Sequence, residues 1–170
     1  LIVTGTVGDH GLAVMATRHE LALEIELRSD VAPVNGLVRA ALAVGGAGVV
    51  AMKDPTRGGL ASALAEMAGK SRVGIEVREP AVPVSDAVRA AGELLGIDPL
   101  VVANEGKVVM GVRPAAVDAV LAALRAHPQG AAAAVIGVCT DERPGAVVLD
   151  TGFGRRLLSE AEGELQPRIC

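Results

Sequence analysis

Short apolar runs alternate along this chain with small, charged or glycine-rich breaks. Residues 1–7 alternate apolar positions with Thr and Gly, which predicts a strand. Gly8-Asp9-His10-Gly11 reads as a turn, and 11–18 as the start of a short helix. Leu37, Ala40, Ala41 and Val44 share one face of a helix over 35–44, which Gly45, Gly46 and Gly48 end. A short strand follows at 49–52. The loop Lys53-Asp54-Pro55-Thr56-Arg57-Gly58-Gly59 then leads into a helix with Leu60, Leu64 and Met67 at helical spacing, ended by Gly69.

The second half keeps this rhythm. A strand is expected at 73–78, and a helix at 84–95 with Val84, Val88, Ala91 and Leu95 inward. Two apolar strands, 100–103 and 107–112, are split by Asn104-Glu105-Gly106, which reads as a hairpin. A helix over 115–126 places Val117, Val120, Leu121 and Leu124 on one stripe. Residues 132–139 and 146–149 flank 140–145, a second expected hairpin with Pro144 and Gly145 in its turn. After Asp150 the apolar rhythm fades, and 159–170 reads as a mobile tail. The expected fold class is therefore α+β (α/β), a mixed β-sheet with helices packed on one face. Residues 1–158 form the domain and 159–170 the tail.

Composition sharpens this picture. Hydrophobic residues make up 51% of the 170, yet Phe153 is the one aromatic, so the core must be built from Val, Ala, Leu and Ile. The net charge of -4, with no basic stripe and no aromatic stacking set, argues against nucleic acid as a partner. No apolar run approaches the ~18 residues needed to span a bilayer. No signal peptide is visible either, and a reducing cytoplasm is the expected compartment. The chain opens on Leu1-Ile2-Val3 without Met, so upstream sequence is expected in the natural protein. Two cysteines make no disulfide framework, and Cys139, inside an apolar run, is expected to be a small buried hydrophobe.

Four stretches could carry chemistry. In "KDPTRGGLASAL", Thr56 is a plausible N-cap, and Gly58 and Gly59 open the helix without side chains. Bare N–H groups at a helix start suit an anion, Arg57 adds a forked cation, and Asp54 suits Mg²⁺ or loop positioning. An ordinary capped strand-to-helix turn explains the same residues, and both readings stand. "TGTVGDHG" sets Asp9 and His10 at a strand's C-terminal end, where α/β proteins place reacting groups. An imidazole at that position suits acid–base chemistry. The residues alone favour a turn in which Asp9 caps the helix and His10 is exposed. Glu105 in "ANEGK" is, on pattern alone, a solvated hairpin-tip residue. The fourth stretch is the terminal Pro167-Arg168-Ile169-Cys170, a thiol with no following chain to bury it. "AGKS" at 68–71 imitates the end of a phosphate-binding loop, but Leu64 stands where that loop needs Gly. His10, His19 and His127 show no metal spacing, and no metal ligand is assigned.

Taken together, "VTGTVGDHGLAVMATR" at 3–18, "MKDPTRGGLASALAEMA" at 52–68, "ANEGKVVMGV" at 103–112 and the final "PRIC" resemble the C-terminal domain of the HypE family of hydrogenase maturation factors. That family lies in the aminoimidazole ribonucleotide synthase-like superfamily. The resemblance spans essentially the whole chain, and the terminal cysteine is its most specific part. It implies an ATP-dependent carbamoyl dehydratase. Cys170 would receive a carbamoyl group from a HypF-type carbamoyltransferase. Dehydration to a thiocyanate would then supply a cyanide ligand for iron on a HypC–HypD scaffold, for a [NiFe]-hydrogenase.

The same resemblance implies Glu105 as the base and Asp9 and His10 as active-site lining. It makes Asp54, Thr56, Arg57, Gly58 and Gly59 candidates for the phosphate end of ATP. ATP with Mg²⁺ would be held mostly by an N-terminal half, which would also form a homodimer. The 170 residues alone are then expected to be nearly inactive, to bind ATP weakly and to leave apolar surface exposed. Two other readings compete: a metabolic ATP-dependent ligase or kinase of the same superfamily, which would leave Cys170 idle, and a docking module without catalysis.

Overall fold

Alternation along two short central strands decides how the layers stack. The computed structural model describes residues 1–18 and 26–158. Strand β1 (Ile2–Val3) lies between β4 (Val109–Val112) and β5 (Ala134–Val135), with β2 (Val49–Lys53) beyond β4. All three pairings are antiparallel. Successive strand side chains point to opposite faces. Ile2 and Met110 therefore face Leu37 and Ala41 of α2 (Asn35–Gly45) and Val120 and Leu124 of α5 (Val117–Arg125). Val3 and Val109 face the other way, into a core with Leu60 and Leu64 of α3 (Gly59–Ser71).

That second core is closed by another four-stranded sheet. Its order is β6 (Gly137–Thr140), β3 (Gly74–Arg78), β7 (Val147–Asp150), β8 (Arg155–Leu157). Strands β3 and β7 run parallel, and the flanking pairs are antiparallel. Ile75, Val77, Val147 and Leu149 supply its inner face. Helices α1 (Asp9–Arg18) and α4 (Asp86–Leu95) meet at the side, over a smaller cluster of Leu12, Val88, Ala91 and Val102. Ser85 caps α4 by accepting the Val88 N–H at 3.3 Å. The α+β class is as the sequence implied, with the strands divided between two sheets.

Several local expectations are corrected. The second hairpin does not form, because β3 lies between its two arms and pairs with both. Gly74 makes room for this: a side chain there would run into the Glu142 carbonyl, so the 141–145 turn crosses directly over the start of β3. The first hairpin fails for a different reason. Asp98 accepts the Leu100 N–H at 2.9 Å and, with Pro99 next, winds Pro99–Val101 into a 3₁₀ turn. Strand β4 pairs instead with β1 and β2. Helix α1 already begins at Asp9, inside the expected turn. Cys139 is exposed rather than buried, because β6 is an edge strand whose Val138 and Cys139 both reach solvent. Strand β8 was not foreseen; its three residues are exposed, and Arg155 lies near Asp150 and Glu76. His19 and the segment 159–170, with Cys170, lie outside the described residues. Among the described residues no helix is long and apolar enough to cross a membrane.

These layers have different tolerances. Leu64→Ala, fully buried under both sheets, is expected to lower unfolding stability by about 2–5 kcal/mol. Ser85→Ala is expected to cost about 1 kcal/mol. Val138→Ala, on the exposed edge, should stay within about 0.5 kcal/mol of the parent. Urea unfolding of the three variants checks the order.

Candidate active site

Asn104 sits where three segments of the chain meet. Its buried side-chain oxygen accepts the Gly8 N–H at 2.8 Å. Its amide nitrogen donates to the Pro55 carbonyl at 3.0 Å and to the Val102 carbonyl at 3.2 Å. Its own backbone N–H donates to Pro55 as well, at 3.1 Å. Both amide donors are thus used, and both ends of the side chain are committed. The loop before α1, the glycine-rich loop and the 103–107 turn are pinned to one point. A further backbone bond, Gly11 N–H to Ala103 C=O at 3.0 Å, ties α1 to the same turn.

The glycine-rich loop is shaped by close packing. Gly58 precedes α3 with φ of 73°, and Gly59 follows with φ of 62°. A Cβ on Gly59 would lie 2.5 Å from the Val102 carbonyl oxygen and 2.7 Å from that of Leu100. Glycine at this position lets the start of α3 rest directly on the 100–102 backbone. The expected Thr56 cap is absent: no side chain caps the helix, and the Thr56 carbonyl accepts the Gly59 N–H at 2.9 Å. The N-terminus of α3 therefore keeps its partial positive charge without a side-chain acceptor.

Asp54, Thr56 and Glu105 line one cavity of about 320 Å³, together with Lys53 and Lys107. Val34, Val38, Met52 and Val108 form its apolar wall. Lys53 bonds Glu66 at 3.2 Å. Hydrogen bonds from Lys70 and then Lys53 hold the exposed Glu66 carboxyl below the usual carboxylate range. Arg57 is exposed on the same loop, and neither it nor Gly58 or Gly59 is among the residues that line the cavity.

The other two sequence-expected residues stand to one side. His10 is 8% exposed, contrary to the exposed turn position expected from pattern, and its Nδ1 lies 2.8 Å from Ser29 Oγ. Asp9 accepts a long bond of 3.4 Å from Ser85 Oγ through one oxygen, while its other oxygen is buried with no partner among the described residues. Neither lines the cavity that holds Glu105. A larger cavity of about 640 Å³, between α4 and the 97–100 segment, contains none of the expected site residues.

Three contributors escaped sequence reasoning. Asn104 was within a quoted motif but carried no role of its own. Lys107 lines the cavity from the same turn. Asp30, outside every motif, bonds the backbone of that turn. Among the described residues no group of three or more His, Cys, Asp or Glu is placed to hold a metal. Asp54 offers one carboxylate at the cavity, enough to share in holding a Mg²⁺ that takes its other ligands from phosphates and water.

The model of the family described as AIR synthase related protein, C-terminal domain, matches residues 1–150. The chain belongs to this family. It is 48% identical, over 171 residues, to the carbamoyl dehydratase HypE of Rhizobium leguminosarum bv. viciae, covering 100% of this chain and 49% of that protein. Among solved structures, hydrogenase maturation protein HypE in complex with ATP superimposes with a TM-score of 0.92 at 40% identity, covering 99% of this chain and 52% of that one. HypE in a HypE–HypF complex gives a TM-score of 0.89 at 39% identity, over 94% and 52% of the two chains. The resemblance drawn from the motifs is borne out. The chain spans about half the length of the curated relatives it matches.

The Asn104 tie generates a measurable asymmetry. Asn104→Ala would leave the Gly8 N–H and the Pro55 carbonyl with fewer partners, at an expected cost of at least about 2 kcal/mol. Gly69→Ala, at a helical position where an added Cβ meets nothing within 4 Å, should instead stabilise by about 0.5–1 kcal/mol. Denaturant titration of both variants checks the pair.

Proposed function

We propose that this chain is the cysteine-bearing part of an ATP-dependent carbamoyl dehydratase of the HypE type, acting in [NiFe]-hydrogenase maturation. The supporting observation is the cavity in which Glu105 meets Asp54 and Thr56 of the glycine-rich loop. It sets a carboxylate base beside a loop and helix start suited to phosphate. Similarity across the whole chain to proteins named carbamoyl dehydratase HypE supports the same reading.

The chemistry begins with a carboxamide on the Cys170 sulfur, loaded by a HypF-type partner. An amide oxygen is a poor leaving group until phosphorylated. Its attack on the γ-phosphorus of ATP releases ADP and forms a C–O–P bond, while Glu105 takes a proton from the amide nitrogen. The second N–H proton then passes to water as the C≡N bond forms, and inorganic phosphate leaves with the electron pair of the broken C–O bond. The product is a thiocyanate on Cys170, and ATP has absorbed the equivalent of one water. The cyano group then passes to iron held by a HypC–HypD scaffold.

Each residue has a place in that scheme. The α3 N-terminus, with Gly58 and Gly59, offers positive backbone dipole to a phosphate group. Arg57 supplies a forked cation. Thr56 and Asp54 line the cavity that Glu105 also lines. Asp9 and His10 stand beside the cavity rather than in its wall, their loop fixed through Gly8 to Asn104. The remaining contacts to ATP belong to an N-terminal half, which also forms the homodimer, and the 170 residues alone turn over little or nothing. Fully extended, residues 159–170 reach about 40 Å beyond Leu158, enough for one thiol to visit a partner's site and its own.

In the complete protein, Glu105→Ala is expected to slow ATP-dependent dehydration by about 10²–10⁴-fold while HypF-dependent loading continues. Cys170→Ala is expected to abolish loading altogether. Stopped-time assays of ADP release and of labelled carbamoyl incorporation separate the two steps. ATP-dependent product formation that survives Cys170→Ala would instead mark a metabolic ligase or kinase.

A further inference from the structure

Asp30 is an enclosed carboxylate close to the site. Its side chain is 4% exposed, and among the described residues its polar contacts all reach the turn that carries Glu105. Oδ1 accepts the Glu105 N–H at 3.1 Å, and Oδ2 accepts the Gly106 N–H at 3.3 Å. Oδ2 also lies 3.1 Å from Lys107 Nζ, which is itself only 11% exposed. One carboxylate thus grips three consecutive residues. The fit is tight on the backbone side too: a side chain at Gly106 would strike the Asp30 carbonyl. Gly5 serves the same packing, since a Cβ there would lie 2.8 Å from the Lys107 chain.

A buried, paired carboxylate needs a reason, because desolvating two charges offsets most of their attraction. Here the ion pair does not bridge two core elements. It fastens a short turn whose exposed member, Glu105, faces a cavity. Asn104 anchors the turn from one end, and Asp30 from the other. A side chain held by hydrogen bonds to its own backbone and to the next two residues has its Cα and Cβ fixed, which is what a proton acceptor at a defined distance requires. Ser29, the neighbour of Asp30, bonds His10, so the same segment also contacts α1.

We propose that Asp30 is a positioning residue for Glu105, with Lys107 as its counter-ion. This inference rests on the reading of Glu105 as the base of the dehydration. Asp30 never touches substrate; it sets where the Glu105 carboxylate sits. Losing it should slow the proton-transfer step and leave nucleotide binding alone, because among the described residues the polar contacts of its side chain go to 105–107 and not to the glycine-rich loop.

The test uses the complete protein, loaded with carbamoyl by its transferase, and follows ATP-dependent dehydration per folded active site. Asp30→Asn keeps size and one acceptor but removes the charge paired with Lys107. It is expected to lower kcat about 10–100-fold, with the KM for ATP within twofold of the parent. Lys107→Met, which leaves the Asp30 carboxylate in place without its counter-ion, should lower kcat in the same direction. Should Asp30→Asn fail to fold, Lys107→Met carries the same prediction. A folded variant with parental kcat overturns the proposal, as does a fall in activity matched by a fall in folded fraction or by an equal rise in KM. Glu105→Ala in parallel separates the two claims. If Glu105→Ala is impaired and Asp30→Asn is not, the positioning role alone fails. If Glu105→Ala runs at the parental rate, the base reading fails and takes this role with it.

Discussion

One amide side chain holds the candidate site together. Asn104 accepts from the loop before α1, donates to the glycine-rich loop and donates back to Val102 just before it. A buried amide with unmet donors would be costly, so the three segments can be close only in an arrangement that satisfies it. The stretches that look most like chemistry in the sequence lie far apart along the chain. Asn104 is the physical reason they become one place in the fold.

Around that point the two sheets act as a frame. Their facing sides, built from Val, Leu, Ile and Ala, bury α3 between them and so fix where its N-terminus points. The site itself is made of what the frame leaves over: loop carbonyls and N–H groups, two glycines with positive φ, and a turn carrying one exposed carboxylate. This division is common in proteins, with rigid packing carrying mobile or irregular chemistry at its edges. It also explains how one domain family serves different reactions, since the loops change while the layers need not.

The helices were legible because apolar residues at 3.6-residue spacing need only local sequence to be read. α2, α3, α4 and α5 lie within a few residues of where Leu37, Leu60, Val88 and Val120 placed them. Strand existence was mostly legible too, but strand partners were not. Proximity along the chain pairs 132–139 with 146–149, whereas in the fold β3 lies between β6 and β7, because Gly74 lets the 141–145 turn cross over it. Cys139 looked buried because its run is apolar, while edge position is a property of the sheet and not of the run. Asp54, Thr56 and Glu105 were found by motif and do share a cavity. Asp30 could not be found that way, since its role depends on bonds to residues 75 and 76 positions away.

The central claim is that Cys170 is a covalent carrier whose carboxamide is dehydrated at the expense of ATP. The most direct measurement is the mass of the C-terminal peptide of the complete protein, taken after incubation with the carbamoyltransferase and its substrates, and again after ATP is added. The account predicts a carbamoyl adduct on Cys170 that loses one water only when ATP is present. An unmodified Cys170 beside a competent transferase, or an adduct that ATP leaves unchanged, would contradict it.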